Sequence, residues 1–193
     1  GMNEGDTFYL TYDPKTGKTE KLGSVDGITK YWSKQGNKIY CLTYGEDYSA
    51  FALNCYDTQT KLCTQVCESV IDFMIDRDAL VYVAKNASEY SIVKETPDEK
   101  SVLHSFTYDG DHTPEFALGS GACFAYSFGE FSKLITFENG KEYDFGDNIG
   151  DAVLCSDTVY YVCYVRKNEY TNPDPTGLYV RKAGEREAAL LTD

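Results

Sequence analysis

Histidine is almost missing from this chain of 193 residues: His104 and His112 are the two. With so little imidazole, acid–base chemistry at neutral pH and the usual catalytic metal sets have little to build on. No G-x-S-x-G elbow, P-loop or H-E-x-x-H run occurs either. His104 lies in SVLHSF, a strand-like run where a packed histidine is the common case. His112, in YDGDHTPE, has Asp109, Asp111 and Glu115 beside it and reads as a solvated turn rather than a metal site. No metal and no cofactor are therefore expected. Basic residues are also short, 18 Lys and Arg against 31 Asp and Glu, for a formal charge of −13. That balance argues against nucleic acid and against docking on anionic lipid, both of which reward clustered cations. Solubility alone accounts for it, and cationic, neutral or protein partners stay open.

Long apolar runs are absent too. No stretch of 18 apolar residues exists, so no helical membrane span is expected. No signal peptide is visible, but Gly1-Met2 has the look of a tag remnant, so that absence carries no weight. The seven cysteines are odd in number and sit mostly within apolar runs such as KIYCLTY and VYYVCYV. Such thiols behave as small buried hydrophobes, and they fit a reducing cytoplasm or the cell surface of an anaerobe. CTQVC (Cys63, Cys67) is no zinc half-site on a strand, because residues four apart lie roughly 13 Å from each other there.

What the chain does have is aromatic and apolar residues in short runs. Apolar residues make up 42% and aromatics 15%, with 17 Tyr and 10 Phe, enough for one core and biased to strands. One short phrase recurs: EDYS at 46–49, SEYS at 88–91, GEFS at 129–132 and NEYT at 168–171. With that phrase as a register mark, the chain divides into repeats at about 28–69, 70–111, 112–150 and 151–193. Each repeat offers four strands of about six residues. The first strands are TKYWSKQ, IDFMIDR, PEFALGS and DAVLCSD. The second are KIYCLTY, ALVYVAK, ACFAYSF and TVYYVCYV. The third are AFALNCYD, SIVKETP, KLITFENG and GLYVRKAG, and the fourth KLCTQVCE, SVLHSFTY, KEYDFGD and REAALLTD. Turns such as TQT, PDE, NG and GE join third to fourth. No helical period is found.

The second strands predict how the units pack. ALVYVA and VYYVCYV do not alternate apolar with polar, so both of their faces must meet protein. Four-stranded meanders stacked face to face around an axis satisfy that demand, and a sandwich with a wet face does not. The expected fold is all-β: a β-propeller-like single domain of about four four-stranded blades. Residues 7–27, TFYLTYDPKTGKTEKL and its flanks, match only third and fourth strands and make an N-terminal half blade. At this level the chain resembles the TolB-like and YWTD-like propeller repeats of bacterial proteins. KIYCLTY with SAFALNCYDTQTKLCTQV, TVYYVCY with TGLYVRKAGEREAALL, and the opening TFYLTYDPKTGKTEKLGS carry the likeness. The strict YWTD tetrad and the GH and WD marks of WD40 repeats are absent.

The half blade has no matching first and second strands. A fragment of a longer propeller, an open ring, or a ring completed by a second chain would each explain this. Exposed strand edges lead us to expect a homo-oligomer. The repeated phrase should fall on the loop between second and third strands. There its aromatic either starts the third strand and packs on the next blade, or joins the acid at the rim. The rim reading names Asp47, Tyr48, Glu89, Tyr90, Glu130, Phe131, Glu169 and Tyr170 as ligand-binding residues, suited to a cationic peptide, an amine or a sugar. The expected function is a non-catalytic binding or scaffolding module for a protein, peptide or carbohydrate. The alternative is a glycoside hydrolase using central carboxylates, on analogy with enzymes built on propellers.

Overall fold

The structure is a computed structural model that describes residues 7–25, 29–44, 51–108, 114–119, 123–127, 134–138, 141–144, 149–155, 158–165, 174–182, 185 and 187–192. Every regular element among them is a strand. The half blade is a two-stranded sheet of β1 (Thr7–Asp13) and β2 (Lys18–Val25). Blade one comprises β3 (Thr29–Gln35), β4 (Lys38–Tyr44), β5 (Phe51–Asp57) and the start of β6 (Cys63–Asp76). Blade two takes the rest of β6, then β7 (Ala79–Asn86), β8 (Glu89–Glu95) and β9 (Lys100–Thr107). Blade three is β10 (Glu115–Gly119), β11 (Cys123–Ser127), β12 (Leu134–Glu138) and β13 (Lys141–Asp144). Blade four is β14 (Ile149–Cys155), β15 (Thr158–Val165), β16 (Asp174–Lys182) and β17 (Ala189–Thr192). All pairings are antiparallel between consecutive strands.

Blades one and two are not separate sheets, as the repeat pattern implied. They form one seven-stranded sheet, because the fourth strand of one runs on as the first strand of the next. Val70 is the seam: it pairs with Phe51 on one side and Ala84 on the other. Register shifts flank it in both ladders, and such bulges let a strand bend while it keeps its pairing.

The cores lie between blades. In β4, Tyr40 and Leu42 turn towards blade two and pack with Leu53, Val70, Phe73, Leu80 and Tyr82. Ile39 and Cys41 turn the other way and join Tyr56. In β7, Leu80 and Tyr82 face blade one while Val81 and Val83 face blade three, with Ile92, Phe116 and Leu118 around them. Both second strands are thus covered on both faces, as their composition required. The first strands touch in succession, β3 with β6, β6 with β10 and β10 with β14, so they sit innermost.

The half blade repeats the outer half of blade one in detail. In TYDPKTGK, Asp13 accepts hydrogen bonds from the Lys15 N–H at 2.8 Å and the Thr16 hydroxyl at 2.7 Å, and the Gly17 N–H closes on the Asp13 carbonyl at 2.8 Å. In CYDTQTKL, Asp57 accepts from the Gln59 and Thr60 N–H groups at 2.8 and 3.0 Å, and the Lys61 N–H closes on the Asp57 carbonyl at 2.9 Å. Gly17 and Lys61 both take left-handed φ, 67° and 62°. These bonds hold both aspartates below the ordinary carboxylate value. Behind the turn, β2 lies so close to blade one that a side-chain carbon on Gly23 would overlap the Tyr56 ring.

Candidate functional site

An antiparallel meander puts the 1–2 and 3–4 turns at one end of each blade. The 2–3 connections and the crossings to the next blade fall at the other. At that second end lies an open cleft of about 700 Å³. One wall is Val66, Cys67, Glu68 and Ser69, where β6 leaves blade one. The other is Ala84, Lys85 and Asn86 at the end of β7, with Glu89 and Ser91 from β8.

The second copy of the repeated phrase supplies this wall, though not from a loop. Asn86 pairs with Glu89, leaving a turn of only Ala87 and Ser88, with Ala87 at φ 52°. So Glu89 and Tyr90 open β8, and alternation sends them to opposite sides. Glu89 is exposed and lines the cleft. Tyr90 is 3% exposed. Its ring stacks on Phe106 at 5.4 Å between centroids and meets Phe116 of blade three at 5.9 Å. In this repeat the aromatic packs on the next blade, and the acid alone reaches the rim. Asp47, Tyr48, Glu130, Phe131, Glu169 and Tyr170 lie outside the described residues, as does His112 with Asp109 and Asp111.

The cleft is chemically mixed. Glu68 and Glu89 offer carboxylates and Asn86 an amide, while Lys85, the cross-strand partner of Tyr90, holds its Nζ 5.6 Å from the centre of that ring, on the other face of β7. Ser91 Oγ shares a 2.8 Å hydrogen bond with Ser105 Oγ. Val66 and Ala84 make its apolar part. Such a surface can grip an extended polar ligand by several weak contacts.

A second feature sits towards the axis. Tyr31 of β3 stacks on Phe73 of β6, centroids 4.9 Å apart and planes 5° from parallel. Its hydroxyl bonds the Asp72 carboxylate and lies 2.9 Å from the Phe73 carbonyl, tying two first strands together. Burial raises the Asp72 carboxyl above its ordinary value, against the Phe73 N–H bond and the Lys30 charge. The sequence carried a signal for Asp72, an acid inside the otherwise apolar IDFMI. Lys85, Asn86 and Glu68 gave none, since each looks like an ordinary strand-end polar residue. His104 lies in β9 with its ring 5.9 Å from that of Phe106. Cys63 and Cys67 both lie on β6, with a register shift between Gln65 and Cys67. Among the described residues no group of three His, Cys, Asp or Glu is disposed to hold a metal ion.

No protein-family model and no curated protein sequence matches the chain. Solved structures do. The β-propeller domain of the trilobed protease from Pyrococcus furiosus, described as having an open velcro topology, superimposes with a TM-score of 0.60 at 12% identity. That match takes in 96% of this chain and 64% of that one. A prolyl endopeptidase gives 0.61 at 13% identity over 100% of this chain and 36% of its own. Hydrazine synthase from Kuenenia stuttgartiensis gives 0.56 at 13% identity, over 96% and 60%. The chain therefore spans about two thirds or less of the proteins it resembles. Identities this low speak to fold and not to chemistry. Successive antiparallel blades, cores between them, first strands innermost and propeller neighbours together identify this chain as an open, propeller-like all-β fold.

Proposed function

We propose that this protein is a non-catalytic binding or scaffolding module, akin to TolB-like and YWTD-like propeller domains. It recognises a protein, peptide or carbohydrate through the face that carries the 2–3 connections. The observation that supports this most directly is the cleft between the end of blade one and the start of blade two, with Glu89 on its wall. It is broad, open and lined by groups of several kinds, which suits recognition better than bond making. Its neighbours in fold include proteases and hydrazine synthase, so the shared architecture assigns no reaction.

The test is a glycan array and a peptide array probed with the labelled wild type and with Glu89→Lys. The expected outcome is a set of wild-type hits that lose at least about tenfold in affinity in Glu89→Lys, at an unchanged melting temperature. Hits that bind Glu89→Lys equally well would remove the cleft from the reading.

One observation favours the second reading, a glycoside hydrolase. Asp72 is a half-buried acid on an innermost strand, and its proton is held more tightly than usual. A general acid needs that property. Turnover of any nitrophenyl glycoside, lost in Asp72→Asn, would put this reading first.

A further inference from the structure

Blade two shows its two neighbours opposite chemistry. Towards blade three its cross-strand rows are bulky. Lys85 pairs with Tyr90 and Tyr90 with Phe106, and Phe116 of blade three packs against them. Towards blade one the rows at the same height are small and polar. Asn86 pairs with Glu89 and Glu89 with Thr107, while Ala84 pairs with Ser91 and Ser91 with Ser105. The cleft lies over these rows. Blade one stands opposite, with Val66 and Glu68 on its wall, so both sides of the gap are present. The gap stays open because the side chains that face it are short and hydrophilic.

The free charges in the cleft are of one sign. Glu68 on one wall and Glu89 on the other are both exposed, and among the described residues neither meets a lysine or arginine at ion-pair distance. Lys85 does not offset them, since its Nζ lies towards the Tyr90 ring on the other face of β7. Among the described residues no aromatic side chain lines the cleft, which leaves a sugar ring no flat surface to stack on.

Granted the binding surface proposed above, we infer that its ligand is an extended peptide segment of a partner protein, with lysine or arginine set among small residues. The two carboxylates, in a chain of net charge −13, draw cations and repel acidic segments. Asn86 and Ser91, with Ser105 and Thr107 beside them across the sheet, offer donors and acceptors to peptide N–H and C=O groups. Glu89 and Ser91 project to the same side roughly 7 Å apart, which is the side-chain repeat of an extended chain. Val66 and Ala84 supply apolar contact for small side chains between the charges.

The test is fluorescence anisotropy with two end-blocked, labelled heptapeptide pools. One pool holds arginine or lysine at two positions among serine, alanine and valine, and the other holds glutamate at those two positions. Wild type should bind the basic pool at least about tenfold tighter than the acidic one. Glu68→Lys with Glu89→Lys should reverse the preference, an outcome that an unfolded variant cannot give. The basic pool with its amides N-methylated keeps the charges, loses the backbone donors and should bind about fivefold weaker. Spermidine, a cation without peptide groups, should displace the basic pool only at about tenfold excess or more. A wild type indifferent to the two pools overturns the inference. So does equal binding of the N-methylated pool, or displacement by equimolar spermidine, because charge alone is then what the cleft recognises. Glycan hits that need Glu89, with no binding of the basic pool, overturn the ligand class and leave the cleft standing. Hits indifferent to Glu89→Lys remove the cleft and its peptide together.

Discussion

Tyr90 and Glu89 are adjacent in one phrase and have opposite duties, because neighbours on a strand face opposite ways. Truncating Tyr90 opens a hole between blades two and three, where Phe106 and Phe116 close around it. Tyr90→Ala should cost about 3 kcal/mol or more in urea unfolding. Glu89→Ala should stay within about 0.5 kcal/mol of wild type. A double variant therefore confounds binding with folding, and the acid must be changed alone. Asp72 gives a pH signature. Folding raises its pKa above the ordinary 3.8, so the folded state holds the proton more tightly. Its contribution is complete below the unfolded value and is lost as pH rises through the folded one. Asp72→Asn keeps an oxygen for the Tyr31 hydroxyl and the Phe73 N–H but cannot ionise. Stability measured from about pH 3.8 to neutrality should fall less in Asp72→Asn than in wild type, with the variant ahead at neutral pH. Parallel curves would show that burial of this carboxyl does not couple to folding.

At the scale of elements, the turn after a third strand recurs with its aspartate and threonine in place and its left-handed residue changed. Gly17 and Lys61 hold the same left-handed position, and only glycine does so without steric cost. Lys61→Gly should stabilise the protein by about 0.5–1 kcal/mol in thermal or urea unfolding, with no change in the far-UV spectrum. A loss of stability would mean that unfolded-chain entropy outweighs the strain. The strands themselves were legible wherever composition alone decides them. KIYCLTY and ALVYVAK are apolar without alternation and are buried on both sides. The start of β8 was not legible, because a two-residue turn at Ala87 depends on a backbone angle that alanine does not advertise. Nor was the fusion of KLCTQVCE with IDFMIDR into one 14-residue strand, since the register shifts on either side of Val70 leave no mark in the residue pattern.

Over the whole molecule, stability should not be uniform. Among the described residues, blades one and two share a sheet and the largest buried cluster, whereas the half blade and β17 are largely exposed. Native-state hydrogen exchange should find the amides of β4, β5, β7 and β8 slowest and opening together. Those of β1, β2 and β17 should exchange first, at far lower opening free energy. Equal protection from end to end would mean that the blades fold as one indivisible unit rather than as a stack of neighbours.

The residue order by itself determined most of the strands, their antiparallel succession and the need for protein on both sides of the second strands KIYCLTY and ALVYVAK. Those are consequences of local pattern: side chains alternate along a strand, and an apolar row on each face must be hidden. Which row meets which neighbour was decided only in three dimensions. Val81 and Tyr82 are adjacent and equally apolar, yet they enter different cores. Val159 and Tyr160 are equally alike in sequence, yet one is sealed against blade three and the other is left open. The cleft belongs to the same class of fact. It gathers Glu68 and Glu89 from strands of two blades, and that meeting depends on the bend of β6, which long-range packing sets and no short run of residues encodes.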